Sequence, residues 1–260
     1  MHTLAKSAAV LLALSMSTAV VCAERSRDVI VYSYVTEAGK KMTPPTPDHP
    51  AACLLVAGGY REEGQTVAGE KPPPPEKVDQ LVRKALAADN YEGLTRDSKQ
   101  IDYIIVYHWG YMNPEIEDFG GGEKIIFNQA QMLALVAGAS FDRMNPGFSD
   151  YNDTIQALEE NRYFLVISAY SPAAYFKHNR QKKLLWRAQM SLDSIGTDQT
   201  ESLPALVSAS VPYLGRTTDL PQQVNESLER PSQVILGAPE VKEYLPAIRV
   251  QDLPNAVQKN

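Results

Sequence analysis

Two histidines have neighbours that could give them chemistry to do. His108 stands beside Trp109 near the end of an apolar run, and the acidic stretch with Glu115, Glu117 and Asp118 follows closely. A histidine base needs a carboxylate to orient it or a nucleophile to activate. A site built from His108, Glu115, Glu117 and Asp118 is therefore the sequence's candidate for a secreted hydrolase. The plainer reading is a hydrogen-bonded histidine at a sheet edge, above a solvated acidic loop. His178 lies in the basic connection Lys177-His178-Asn179-Arg180-Gln181-Lys182-Lys183, next to Tyr175 and Phe176. Cations with adjoining aromatics suit anionic lipid headgroups, cell-wall polymer or nucleic acid. Lys177, His178, Arg180, Lys182 and Lys183 are thus a candidate interaction loop, the alternative being a solvated hairpin tip.

The usual catalytic signatures are absent from the sequence. It contains no CxxC pair, no HExxH, no GxxxxGK[ST] phosphate loop and no GxSxG elbow. Gly138-Ala139-Ser140-Phe141-Asp142 approaches the elbow but lacks the second glycine, so a helix end is the better use of Gly138. The triple glycine 120–122 has no neighbouring Lys-Ser or Lys-Thr pair and reads as a hinge. No catalytic residue, cofactor or metal is assigned.

The elements that must position these residues are legible in part. Val29 to Val35 reads as a strand, and Cys53 to Ala57 as a second, short one closed by Gly58-Gly59. After the proline block Pro72 to Pro75, Val78, Leu81, Val82, Ala85 and Leu86 recur at helical spacing and predict a helix over 76–88. Ile101 to Tyr111 is apolar on both faces and predicts a central strand whose Tyr, Trp and Ile residues form the core. Ile125 to Val136 leans helical, and Asp150 to Asn161 reads as a helix. Tyr163 to Tyr170 and Leu184 to Leu192 read as strands. In the latter Arg187, Gln189 and Ser191 alternate with apolar residues, which predicts one wet face. Asp198 and Glu201 make a capping box for a further helix, with Pro204 awkwardly placed inside it.

The N-terminus carries an address. Lys6, the uncharged apolar stretch from Ala8 to Val21, and Val21-Cys22-Ala23 before polar Glu24 form a tripartite secretory signal. Cleavage after Ala23 would leave Cys53 as the lone cysteine of the mature chain, and the run Leu54-Leu55-Val56 beside it marks it as a buried apolar residue. Lipidation at Cys22 is the alternative, although Val21 fits that processing site poorly. The formal charge of −6 argues against nucleic acid as a partner, since such proteins present a basic face.

The helix ending in Ala85-Leu86, the strand Ile101-Asp102-Tyr103-Ile104-Ile105-Val106, Phe164-Leu165-Val166-Ile167 and Lys183-Leu184-Leu185-Trp186-Arg187-Ala188 come in a familiar order. In this the chain resembles a broad family of uncharacterised bacterial envelope proteins, many of them lipoproteins. Ala188 stands where that family prefers glycine. The resemblance implies a compact α+β domain outside the cytoplasm and carries over no functional residue. The expectation is therefore a signal peptide over 1–23, one α+β domain over 24–218 and an irregular Pro-rich extension over 219–260. The sheet is expected to be largely antiparallel with helices packed on it. The expected function is that of an exported, periplasmic or secreted protein that binds an envelope component or a protein partner without catalysis. The secreted hydrolase around His108 is the alternative.

Overall fold

The computed structural model describes residues 26–64, 71–96, 98, 100–118, 124–175, 182–228 and 248–249. The signal segment 1–23, Cys22, Lys177, His178, Arg180 and the triple glycine lie outside them. Within them the chain forms a curled, half-barrel sheet with helices on both faces.

The sheet corrects the first expectation: it is mixed, not largely antiparallel. Strand β2 (Ala51–Glu63) leads through helix α1 (Pro75–Ala88) to β4 (Tyr103–Met112), and β2 and β4 pair in parallel. Parallel neighbours need a crossover, and α1 supplies it. The short β3 (Tyr91–Gly93) also lies parallel to β2, along its other edge. The remaining strands pair antiparallel in the order β4, β7 (Arg162–Tyr170), β8 (Leu184–Asp193), β1 (Ser26–Val35) and β9 (Gln222–Ser227). β5 (Ile116–Asp118) and β6 (Lys124–Ile126) make a separate ribbon.

The parallel pair escaped the sequence because β2 does not stop at Gly58-Gly59. It runs on to Glu63 through a bulge, with the register shifting between Ala57 and Gly59. Gly59 has φ +93°, which its missing Cβ permits. The Pro-rich tail needs a second correction. Its described part is not irregular: β9 extends the sheet beside β1, and β10 (Ile248–Arg249) joins the outer edge of β2 at Val56 and Ala57.

One face of the sheet carries the main core. Val29, Val31, Leu55, Ile105, Tyr107, Trp109, Leu165, Ile167, Trp186 and Met190 meet α1 and α5 (Gln199–Ser210) there. α1 turns Val78, Val82 and Leu86 inward, each worth about 1.5–3 kcal/mol of burial. Tyr107 Oη adds a hydrogen bond to Asp79, 3.2 Å, on that helix. Asp198 caps α5 as expected, its carboxylate accepting from Glu201 N at 2.8 Å.

The opposite face is only partly covered. At one end α2 (Gln129–Val136) and α3 (Ser149–Ala157) place Met132, Leu135 and Leu158 over Met112 and Phe164. The wet face expected for β8 is therefore wet only in part, because Gln189 and Ser191 are buried. Gln189 donates its side-chain amide to the Ala134 and Leu135 carbonyls in the last turn of α2. Arg162 donates to Ser191 and pairs with Glu160, so its buried charge is compensated. At the other end the single turn α4 (Pro172–Tyr175) brings Tyr175 against Val106 and its neighbours. Between α2 and α4 the sheet is left open.

Candidate functional site

His108 is the half-buried residue in a strand otherwise buried throughout, and it faces this opening. The β2 bulge makes its place. The imidazole lies over Gly58, where a Cβ would come within 2.0 Å of ring atom Cε1 and 2.2 Å of Nδ1. Strand register sets its neighbours: Gly59, His108, Val166 and Gln189 form one row across β2, β4, β7 and β8. Arg61, Gly110 and Phe164 form the next row, and Gly110 leaves its centre without a side chain. Gly110 is obligatory, since a Cβ there would lie 1.7 Å from the Arg61 carbonyl oxygen.

The open region is a cleft of about 480 Å³, within the usual range for small-molecule sites. Arg61, Lys182 and Arg187 line it together with His108, Ser168 and Gln189 on the polar side. Met112, Ala134, Leu135, Phe164 and Val166 supply the apolar wall. Arg187 donates from Nε to Ser168 Oγ at 2.9 Å, which fixes the guanidinium above the sheet. Lys182 Nζ stands 4.7 Å from the Tyr175 ring centroid, a cation–π contact that holds it at the rim. Among the described residues none of these three cations forms an ion pair, and Glu63 is the one carboxylate lining the cleft.

These charges set the state of His108. Burial depresses its pKa most, Arg61 adds to this, and Arg187 and Lys182 contribute further, bringing it to about 4. The Gly58 backbone works in the opposite direction. It does not satisfy Nδ1, which is shielded from solvent and has no hydrogen-bond partner among the described residues. His108 is therefore neutral at neutral pH. Three cations against Glu63 then make a positive cleft on a chain of formal charge −6.

The two candidate sites of the sequence meet here, though not as expected. Lys182 of the basic connection lies on the same cleft as His108, while Lys183 is exposed and outside its lining. Glu115 and Glu117 do not line the cleft. Their stretch is tied into the β5–β6 ribbon, and Asn128 Oδ1 accepts from Glu115 N at 3.0 Å. No carboxylate or hydroxyl among the described residues is hydrogen-bonded to the His108 ring, so nothing orients it as a triad would require. Ser140 is buried and donates to the Ala137 carbonyl, so it is no exposed nucleophile. Cys53 is buried in the main core, and its thiol is pushed up by that burial. Among the described residues no group of three or more His, Cys, Asp or Glu side chains could hold a metal ion.

Arg61, Glu63, Ser168 and Arg187 are site residues that sequence reasoning missed. Arg187 carried a signal, being a cation in an alternating strand beside Gln189. Arg61 carried none once β2 was ended at Gly58-Gly59.

No family model matches the chain, and no curated protein matches it. Among solved structures it is similar to a PDZ domain protein from Parabacteroides distasonis ATCC 8503, with a TM-score of 0.38 at 11% identity over 78% of this chain and 40% of that one. It is also similar to a PelC dodecamer from Paraburkholderia phytofirmans, with a TM-score of 0.33 at 7% identity over 73% of this chain and 98% of that one. The chain spans about two fifths of the length of the first of these. Likeness at this level carries no argument about function.

Proposed function

We propose that this is an exported, non-catalytic protein of the bacterial envelope that binds an anionic ligand in the cleft over His108. The observation that carries this reading is the convergence of Arg61, Lys182 and Arg187 on one cleft, from β2, the segment before β8 and β8 itself, with no ion-pair partner among the described residues. Such cations are an anion site in waiting, because guanidinium groups hold carboxylate and phosphate through paired hydrogen bonds. The acidity of the rest of the chain supports a local role for this positive patch. Binding is favoured over hydrolysis because no carboxylate or hydroxyl among the described residues is hydrogen-bonded to the His108 ring, and the Ser168 hydroxyl on the cleft is engaged by Arg187. Export rests on the signal-like segment from Lys6 to Ala23, and the envelope assignment on the family resemblance of the central strands.

The test is a titration followed by backbone amide NMR, with sodium phosphate, sodium acetate and neutral acetamide as probes at constant ionic strength. The expected result is saturable shifts at His108, Val166 and Arg187 with the anions alone, lost in the variant carrying Arg61→Gln and Arg187→Gln. Equal, unsaturable shifts with all three probes would overturn the reading. Intact mass after cell fractionation tests the address: a soluble chain beginning at Glu24 fits simple export, and an acylated chain beginning at Cys22 fits a membrane anchor.

A further inference from the structure

The cleft has two chemically distinct parts, and one ligand would have to satisfy both. On the polar side Arg187, Ser168 and Lys182 gather beside His108. On the other side lie Phe164, Met112 and Leu135, roofed by Ala134 of α2, with Val166 on the floor between the two. In the row Arg61–Gly110–Phe164 the Arg61 backbone packs where a Gly110 side chain would be, and in the neighbouring row half-buried Val166 lies between His108 and Gln189, so Val166 is the floor that joins the cations to the apolar wall. Inorganic phosphate or acetate would engage the polar side and leave the exposed Ala134 and the half-buried Val166 in water, since Phe164, Met112 and Leu135 are already buried. A purely apolar guest would displace water from a cleft where three cations face Glu63 alone and would offer them nothing in return, which is unfavourable.

We infer that the ligand is a small amphipathic anion, whose carboxylate or phosphate head sits over His108 between Arg61, Lys182 and Arg187 and whose apolar body lies along Val166 toward Phe164 and Ala134. The inference rests on the anion-binding reading above and goes beyond it by naming the ligand class. The head supplies further counter-charge to a cleft in which three cations face Glu63 alone. The body covers the half-buried Val166 and the exposed Ala134, which no other described element covers. The size of the cleft, about 480 Å³, excludes a folded protein partner as its direct occupant but admits a medium-chain or aromatic acid.

The experiment compares sodium octanoate, sodium acetate and the neutral alcohol octanol below their aggregation limits, by calorimetry and amide NMR on the full mature chain. Octanoate is expected to bind about tenfold or more tighter than acetate, since burying two methylenes suffices for that. Octanol is expected not to bind at the cleft. Val166→Thr should bring octanoate affinity down toward that of acetate. Ala134→Gln, on the exposed side of α2, gives the same readout without touching the sheet. Equal affinities for octanoate and acetate would overturn the amphipathic inference and leave the anion reading standing. Tight octanol binding would overturn the requirement for a charged head. Absence of binding by both anions would overturn both readings together.

Discussion

The imidazole of His108 stands where a side chain at residue 58 would have to be. A Cβ on Gly58 would meet ring atoms at 2.0 to 2.6 Å, whereas a Cβ on Gly59 would meet nothing within 4 Å. The two adjacent glycines are therefore required for different reasons. Gly58 makes room for the ring, and Gly59, at φ +93°, makes the bulge. Gly58→Ala should displace the ring, cost about 1–3 kcal/mol as overpacking does, and shift the His108 ring resonances. Gly59→Ala should cost about 1 kcal/mol of backbone strain and leave the ring resonances in place. Urea denaturation with histidine NMR separates the two; unchanged ring resonances in Gly58→Ala would refute this account of the cleft floor.

The position of His108 also fixes its response to pH. Its folded pKa lies near 4, below the unfolded value of 6.5, because burial and the facing cations Arg61, Arg187 and Lys182 disfavour the imidazolium. The unfolded chain then binds more protons between those two values, so stability rises with pH across that window. The contribution of His108 is complete above pH 6.5 and is lost progressively as the pH falls to about 4. His108→Gln should flatten this part of the stability profile. A ring midpoint near 6.5 in an NMR titration would show that the cations do not converge on it. An anion held in the cleft should raise the midpoint, because it offsets the same cations.

Gln189 ties the cleft wall to the sheet. Its amide reaches the Ala134 and Leu135 carbonyls, which lie in the last turn of α2 and have no donor within the helix. Gln189→Leu keeps the volume roughly constant and removes the donor. The expected loss is about 1–3 kcal/mol for leaving buried carbonyls unpaired. Amide exchange should quicken in α2 more than in β4 or β7, and anion binding should weaken as the wall loosens. Uniform loss of protection across the sheet would instead mark Gln189 as part of the global core.

How much of this was legible follows from which forces act locally. The α1 stripe and the Asp198 cap are set within a few residues, and both stand where periodicity and capping chemistry place them. The double-faced burial of β4 was equally plain, because Ile104 and Val106 are apolar on the face opposite Ile105 and Tyr107. The parallel course of β2 was not legible. Gly58-Gly59 reads as a strand end, and the bulge that carries β2 past it is fixed by pairing with β4, far along the chain. Arg61 was lost with it. Lys182 and His108 were each singled out, but their meeting depends on β7 lying between β4 and β8, and a single sequence does not show that adjacency.

Pro204 lies inside α5, and the helix answers it with a residue from another element. A proline has no N–H, so the Thr200 carbonyl, four residues earlier, loses its helical donor. Lys77 of α1 supplies one in its place, with Nζ 3.4 Å from that oxygen. The contact joins α1 to α5 across the main core, so a local defect becomes a link between elements. Pro204→Ala should restore the helical donor and stabilise the protein by about 1–3 kcal/mol, the range set by helix-interior proline less the entropy it removes from the unfolded chain. Lys77→Met should cost about 1 kcal/mol in the native background and much less beside Pro204→Ala. A double-mutant cycle by urea denaturation reads the coupling directly. Additivity within about 0.3 kcal/mol would mean that water, rather than Lys77, satisfies the Thr200 carbonyl.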